Sequence, residues 1–140
     1  MNKLIVAFSL CFALFGSIQT VFAADTVIAN GKLTAKFSSW GKPSLEGDWK
    51  IVTSEGKQFI ELADNFKAKK GPDVKVFLSP KSTAALTGEN ASDGSVFIKL
   101  ISDFEGKARI EIPANIDVSQ YKSLIFHCEE YSKLWGYSPL

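Results

Sequence analysis

The amino-acid sequence predicts an all-β protein, a single antiparallel β-sandwich of about eight short strands. From residue 24 onward the apolar residues come in short groups, and no stretch keeps a helical repeat over about 11 residues. Turn-forming residues separate these groups at intervals of roughly 8–12 residues, which is typical of sandwiches and barrels. Within Val74–Leu78 the polarity alternates, so that Val74, Val76 and Leu78 share one face of a strand.

The chain begins with a predicted secretory signal peptide, Met1–Ala23. Lys3 supplies a positive charge, Leu4–Phe15 is apolar, and the segment ends in a small-residue cleavage pattern at Ala23. Cleavage there would leave residues 24–140 as one domain. We therefore expect the mature protein to be extracytoplasmic, either periplasmic or secreted.

The strands of this domain are predicted from short apolar groups between turn signals. In chain order they are Thr26–Ile28, Leu33–Phe37, Trp49–Thr53, Phe59–Leu62, Val74–Leu78, Val96–Ile101, Ala108–Ile112, Leu124–Phe126 and Leu134–Tyr137. Asn30-Gly31 predicts a turn after the first strand. The polar stretch Ser82–Gly94, rich in small residues, predicts one long loop.

Charge and hydropathy exclude several classes of partner. The net charge of the chain is +1, and removal of Lys3 lowers it to zero, whereas nucleic-acid binding demands a basic surface. Arg109 is the only arginine, so no arginine cluster is available to bind phosphates. After the signal peptide no apolar run reaches the roughly 18 residues of a transmembrane helix. We expect no nucleic acid and no transmembrane segment in the mature chain.

Two short motifs, Asp64-Asn65-Phe66 and Gly71-Pro72-Asp73, form the sharpest local pattern. Gly71 permits a positive φ, Pro72 restricts the next φ to about −65°, and Asp73 can accept hydrogen bonds from backbone amides. We interpret Asp64, Phe66, Gly71, Pro72 and Asp73 as a structural motif that starts a strand. The acidic residues are too scattered for a calcium site, and we predict no metal site.

Cys128 is the only cysteine that would remain after cleavage, since Cys11 lies in the signal peptide. In an exported protein a single cysteine indicates an intermolecular disulfide, a reactive thiol, a ligand of a prosthetic group or an inert buried side chain. Side chains alternate along the strand Ser123–Cys128, so Cys128 shares the apolar face of Leu124 and Phe126. Because polar residues follow at once, we expect Cys128 near the rim of the sheet.

His127 is the only histidine, and we expect it to be partly exposed and to bind no ligand. It points to the opposite face from Cys128, so the two residues cannot easily share one metal, and the chain cannot supply a zinc ligand set. There is no Cys-x-x-Cys-His sequence, which excludes covalent c-type haem. A non-covalent haem stays open, with His127 as a weak second candidate for an axial ligand.

An ordered series of segments occupies most of the predicted domain. It consists of Asp64-Asn65-Phe66, Gly71-Pro72-Asp73, Val76-Phe77-Leu78-Ser79, Ile98-Lys99-Leu100, Gly106, Ile110-Glu111-Ile112-Pro113 and Tyr121-Lys122-Ser123-Leu124-Ile125-Phe126-His127-Cys128. The series resembles the DM-thirteen domain, also called the electron-transfer DM family, over about 37–140. The resemblance implies an extracytoplasmic β-sandwich whose cysteine, here Cys128, acts in electron transfer as a free thiol or as ligand to a group such as haem.

Two functions therefore stand open at this point. In the first, the protein is an exported redox accessory domain that acts through Cys128 on an unidentified redox partner protein. In the second, it is a non-catalytic binding or adhesion module in which Cys128 is core packing. No serine or cysteine hydrolase motif occurs, and we expect no stand-alone enzyme. Tyr131, Trp135 and Tyr137 are predicted to share one strand face, either as packing or as an aromatic wall.

Overall fold

The computed structural model describes residues 20, 21 and 23–140, and nearly all of the predicted signal peptide lies outside them. The strands are β1 (Thr26–Lys32), β2 (Thr34–Ala35), β3 (Ser38–Ser39), β4 (Lys42–Pro43), β5 (Leu45–Glu46), β6 (Asp48–Ser54), β7 (Lys57–Leu62), β8 (Lys67–Ala68), β9 (Val74–Ser79), β10 (Val96–Leu100), β11 (Ala108–Ile112), β12 (Ser123–Cys128) and β13 (Lys133–Pro139). Two short 3-10 helices, Thr83–Ala85 and Val118–Gln120, complete the elements. The predicted all-β class is confirmed.

Nine of these strands form two antiparallel sheets. One sheet has the order β1-β6-β7-β11 and the other the order β10-β9-β12-β13-β2. The remaining described strands pair as two small ribbons, β3 with β4 and β5 with β8. These ribbons come from two-residue strands that the apolar pattern could not predict, because a strand of two residues has no periodicity to read.

The main core lies between the two sheets. Inward-facing side chains of β6, β7 and β11 meet those of β9 and β12, and most of them are fully buried. The members with the least exposure include Ile51, Ile60, Val74, Val76, Leu78, Leu124, Phe126 and Cys128. The predicted alternation of Val74, Val76 and Leu78 is confirmed, since these three share the inner face of β9.

A second, smaller core covers the outer face of the five-stranded sheet. The predicted long loop, Ser82–Gly94, folds back over this face and buries Leu86 and Ala91 against Phe77 and Ile125. The loop is held by its own side chains: Asn90 accepts from the Thr87 amide and donates to the Ala85 carbonyl. Where the loop covers the outer face of the sheet, that face is therefore excluded from solvent, as the inner face is.

Two local predictions were wrong. Asn30-Gly31 does not form a turn but continues β1, and Gly31 is needed for close packing, since a Cβ there would lie 2.9 Å from Ser138 Oγ. Trp135, Tyr137 and Tyr131 do not share a face. The β12–β13 register shifts between Phe126 and His127, so that Trp135 is the extra residue of a β-bulge and turns into the main core.

Among the described residues, no helix is long and apolar enough to cross a membrane.

Candidate functional site

Cys128 is the last residue of β12 and lies at the end of two strand ladders. It pairs with Val74 of β9 on one side and with Lys133 of β13 on the other. Its side chain belongs to the main core and is 0% exposed, although the next residue, Glu129, is exposed. The sulfur is thus closed off from solvent within one residue of the rim. The expectation that Cys128 shares the face of Leu124 and Phe126 is confirmed.

The first predicted motif separates into three different roles. Phe66 is fully buried and packs on Phe126, with ring centroids 5.8 Å apart, so it belongs to the core around the cysteine strand. Asn65 accepts a hydrogen bond from the Asp48 amide and donates one to the Asp48 carboxylate. Asp64 is exposed and forms only a surface ion pair with Lys107, at 3.5 Å. The motif joins the start of β6 to the core.

The second predicted motif lies directly beside Cys128. Gly71 packs against the Trp135 indole, and a Cβ at this position would lie 2.9 Å from the ring. The indole N–H of Trp135 donates to the carbonyl of Lys69 at 2.8 Å, which fixes the approach of the chain. Pro72 is exposed, and Asp73 is the residue before β9. β9 begins at Val74, directly after this motif, and pairs there with Cys128.

Charged groups form a small network over the rim next to Cys128, which we call the rim clasp: Asp73, Lys75, Glu129 and the backbone amide of Glu130. Lys75 Nζ lies 3.2 Å from the Asp73 carboxylate and also donates to Glu129. The amide of Glu130 donates to Asp73 at 3.2 Å. The clasp holds the turn after β12 against the start of β9, so it closes the strand end that carries Cys128.

The pKa of Lys75 is raised above its usual value by its hydrogen bond to Glu129 and, next, by that to Asp73, while desolvation lowers it. A raised pKa means that the folded state favours the charged amine. The contribution of the clasp is therefore complete below the unfolded pKa of about 10.5 and is lost as the pH rises through the higher folded pKa. The clasp stays charged throughout the neutral range.

His127 lies on the outer face, opposite Cys128, as the alternation predicts. The prediction of partial exposure was wrong, because His127 is only 2% exposed beneath the loop Ser82–Gly94. Its Nε2 lies 2.7 Å from the carbonyl oxygen of Gly88, so Nε2 is the protonated nitrogen and donates. Nδ1 is buried and has no hydrogen-bond partner among the described residues. Phe77 meets the imidazole ring edge-on at 6.3 Å.

An aromatic cluster stands next to Cys128 on the β13 side. Phe37 and Trp135 meet edge-to-face with centroids 5.4 Å apart, and Lys133 Nζ lies 3.8 Å from the centroid of Phe37. Because Lys133 is the register partner of Cys128, this cluster covers the same end of the sandwich. Trp135 is thus a packing residue that meets Phe37, and it shares no face with Tyr131 or Tyr137.

Comparison with known protein families identifies the family of this domain. The family model described as Electron transfer DM13 matches residues 36–140. The chain belongs to this family. Membership of the electron transfer DM13 family gives the domain a redox or electron-transfer role in general terms. No curated protein and no solved structure matches the chain.

The resemblance to the electron transfer DM13 family leaves haem ligation open, but the folded site does not fit that group. Haem needs a cleft of several hundred Å³ that opens at the ligating atom. Cys128 is enclosed, and the surface hollows of about 760 and 850 Å³ are lined by other residues. His127 points to the opposite face of the same strand. Nor does any group of three or more His, Cys, Asp or Glu residues in the described chain form a metal site.

Lys75 and Phe37 are the site residues that sequence reasoning missed in this electron transfer DM13 domain. Alternation along the strand only places Lys75 on the face opposite Val74, Val76 and Leu78. The available signal was its position beside Asp73, but Glu129 reaches it only because β12 pairs with β9 in one particular register. Phe37 joins the site through the β3–β4 ribbon, which carries no apolar repeat.

Proposed function

We propose that this domain is an exported electron-transfer accessory module in which the thiol of Cys128 is the redox-active group. The observation that carries the proposal is the convergence of the family motifs on one strand end. Gly71 lies against Val74 and Trp135, Asp73 accepts from the Glu130 amide, and Phe66 packs on Phe126. These three residues, far from Cys128 in sequence, thus lie around the strand that carries it.

The chemistry proposed for the thiol is exchange with a disulfide of a redox partner protein. The Cys128 thiolate attacks one sulfur of the partner disulfide, a new S–S bond forms to Cys128, and the partner's own S–S bond breaks. The second partner sulfur leaves as a thiolate and carries the electron pair of the broken bond. The thiolate of a small reducing thiol then attacks the Cys128 sulfur, and the partner's first sulfur leaves as a thiolate, so that the partner is fully reduced. A second molecule of that thiol attacks the new mixed disulfide, forms the disulfide of the reductant and releases the Cys128 thiolate.

Access to the thiol is proposed to come from local opening of the strand end. Reactive cysteines are partly exposed, whereas Cys128 is enclosed in the folded state. To expose the sulfur, the end of β12 would have to separate from its ladder partners Val74 and Lys133 and from the core that it faces, by a local opening that costs less than global unfolding. The rim clasp opposes this opening, so it would set how often the thiol is reached.

A second candidate function is supported by the same burial. A cysteine that is 0% exposed among apolar side chains behaves as a small hydrophobic residue. In that case the domain would be a non-catalytic exported module, and Cys128 would only fill the core. The two functions differ in whether the thiol ever reacts in the native protein.

The first experiment is an intact mass and absorption spectrum of the protein purified after native export. We expect a chain that begins at Ala24, with no absorption band in the visible range and one thiol that reacts slowly without denaturant and at once in guanidinium. A retained Met1–Ala23 segment would contradict export. A haem absorption band that disappears in Cys128→Ala would show that Cys128 acts as a haem ligand and not as a redox thiol. A thiol that does not react in the native state would favour core packing.

The rim clasp is tested by Lys75→Met, which keeps the length of the side chain and removes its charge. Because Asp73 and Glu129 lose their shared partner, the strand end should open more often, and native-state alkylation of Cys128 by iodoacetamide should accelerate by about threefold to tenfold. Lys99→Met is the matched control, since Lys99 lies on the neighbouring edge strand and forms no ion pair among the described residues. Equal alkylation rates in both variants would show that the clasp does not govern access.

A further inference from the structure

A hairpin beside the site carries the most exposed tryptophan of the molecule. Trp40 and Gly41 form the tip between β3 and β4, and the Trp40 side chain is 98% exposed. Trp40 also has a positive φ of 55°, a region in which a bulky residue is rare. Exposure of the indole and strain of the backbone both lower the stability of the fold. A tryptophan at this position therefore does not stabilise the folded chain.

The hairpin is rigidly attached to the sandwich, so its tip protrudes in a defined direction. The Ser44 amide donates to the Phe37 carbonyl at 2.8 Å, and the Ser44 hydroxyl donates to the Trp135 carbonyl at 2.5 Å. Phe37 at its base packs on Trp135. Space around the tip is open, because a Cβ on Gly41 would meet no atom within 4 Å. Trp40 is thus presented to something outside the chain.

Lysine residues surround this hairpin. Lys36 and Lys42 flank the tip in sequence, the Lys69 amide donates to the Ser44 carbonyl, and Lys133 lies over Phe37. Lys70 follows Lys69 in the chain. Within the described residues, none of these five lysines forms an ion pair.

A hollow beside the hairpin is lined by three of these lysines, Lys42, Lys69 and Lys70, and by three carboxylates, Glu46, Asp103 and Glu105. The five lysines outnumber these carboxylates, so the surroundings of the hairpin keep an excess of positive charge. An anionic surface facing the tip would complement this charge.

We propose that the hairpin 37–44 is an anchor to anionic membrane surfaces, in which Trp40 enters the headgroup region and the surrounding lysines bind lipid phosphates. Indole rings prefer the boundary between headgroups and acyl chains, where the ring is buried and its N–H stays hydrated. Clustered lysines are attracted to anionic bilayers. A protein partner is less favoured, because lysine is depleted at protein interfaces and a protruding indole would need a matching pocket. The anchor does not depend on the chemistry of Cys128.

Trp40 itself reports the binding. The other two tryptophans, Trp49 and Trp135, are 3% and 5% exposed, so a blue shift of the emission on adding vesicles would come from Trp40. The probes are vesicles of phosphatidylglycerol mixed equally with phosphatidylcholine, and vesicles of phosphatidylcholine alone. We expect a blue shift and co-sedimentation with the first and little of either with the second, and we expect salt to weaken the binding.

Matched variants make the test specific. Trp40→Asn suits the left-handed backbone and should strongly reduce co-sedimentation with the anionic vesicles, and Lys70→Glu should lower the partition coefficient by about tenfold or more. Phe97→Ser, at another exposed aromatic side chain, and Lys99→Glu should leave binding nearly unchanged. Absence of both shift and co-sedimentation with the anionic vesicles at low salt would overturn the proposal. Equal binding to soluble polyglutamate without a shift would also overturn it and assign the hairpin to an acidic protein.

Discussion

Cys128→Ala is expected to abolish electron transfer while the protein stays folded. Alanine removes the sulfur without burying a polar group, so the free energy of unfolding should fall by only about 1 kcal/mol, which lowers the Tm by a few degrees. Serine is a poorer probe, because Cys128 is fully buried and a hydroxyl there would add about 1–3 kcal/mol of destabilisation. The measurement is the protein-dependent reduction of disulfides in an extracytoplasmic extract of the host, followed by labelling of the new thiols, with the variant in place of the natural chain.

Val74→Ala is the matched control for this experiment. Val74 is the ladder partner of Cys128 and is equally buried, so its truncation loosens the same place by on the order of 2 kcal/mol but keeps the thiol. We expect it to retain transfer. A folded Cys128→Ala protein with the natural rate would disprove the redox role of the thiol and leave the packing role. Loss of rate in both variants would attribute the effect to loosened packing and would equally count against the thiol.

Phe66→Ala should produce the largest loss of stability among the motif residues. The Phe66 ring is fully enclosed and packs on Phe126, two residues before Cys128 on the same face. Removing it leaves a cavity in a core that is held by two sheets and cannot easily collapse, so the free energy of unfolding should fall by about 3–5 kcal/mol. Thermal unfolding followed by circular dichroism should show a Tm lower by roughly 10–20 °C.

Two further variants show whether that loss of stability comes from the buried ring. Asp64→Ala, in the same motif, removes an exposed ion pair with Lys107 and should change the free energy of unfolding by less than about 0.5 kcal/mol. If Phe66→Ala does not fold, Phe66→Leu keeps most of the volume and should fold with a smaller loss. A Tm change for Asp64→Ala as large as that for the Phe66 variants would contradict the division of the motif into a core residue and a surface residue.

Some features of the site follow from the sequence because they depend only on local geometry. Side chains of a strand alternate between faces, so the separation of Cys128 from His127 and the common face of Val74, Val76 and Leu78 could be predicted without a structure. The turn at Pro72 and Asp73 is likewise local, whereas Gly71 has no positive φ and is required by its packing on Trp135. The resemblance of the ordered motifs was enough to predict the family, which the match over residues 36–140 confirms.

Other features were decided only when distant segments met. His127 was predicted to be partly exposed, and it is buried because the loop Ser82–Gly94 folds over its face. Trp135 was assigned by alternation to the face of Tyr137, and a bulge at one register shift turned it into the core.

The depth of Cys128 and the clasp that closes it depend in the same way on the pairing of β12 with β9. Alternation along one strand assigns each side chain to a face. The strands and loops that pack on a face decide whether it is excluded from solvent and which charges lie beside it. Those strands and loops are far away in the sequence.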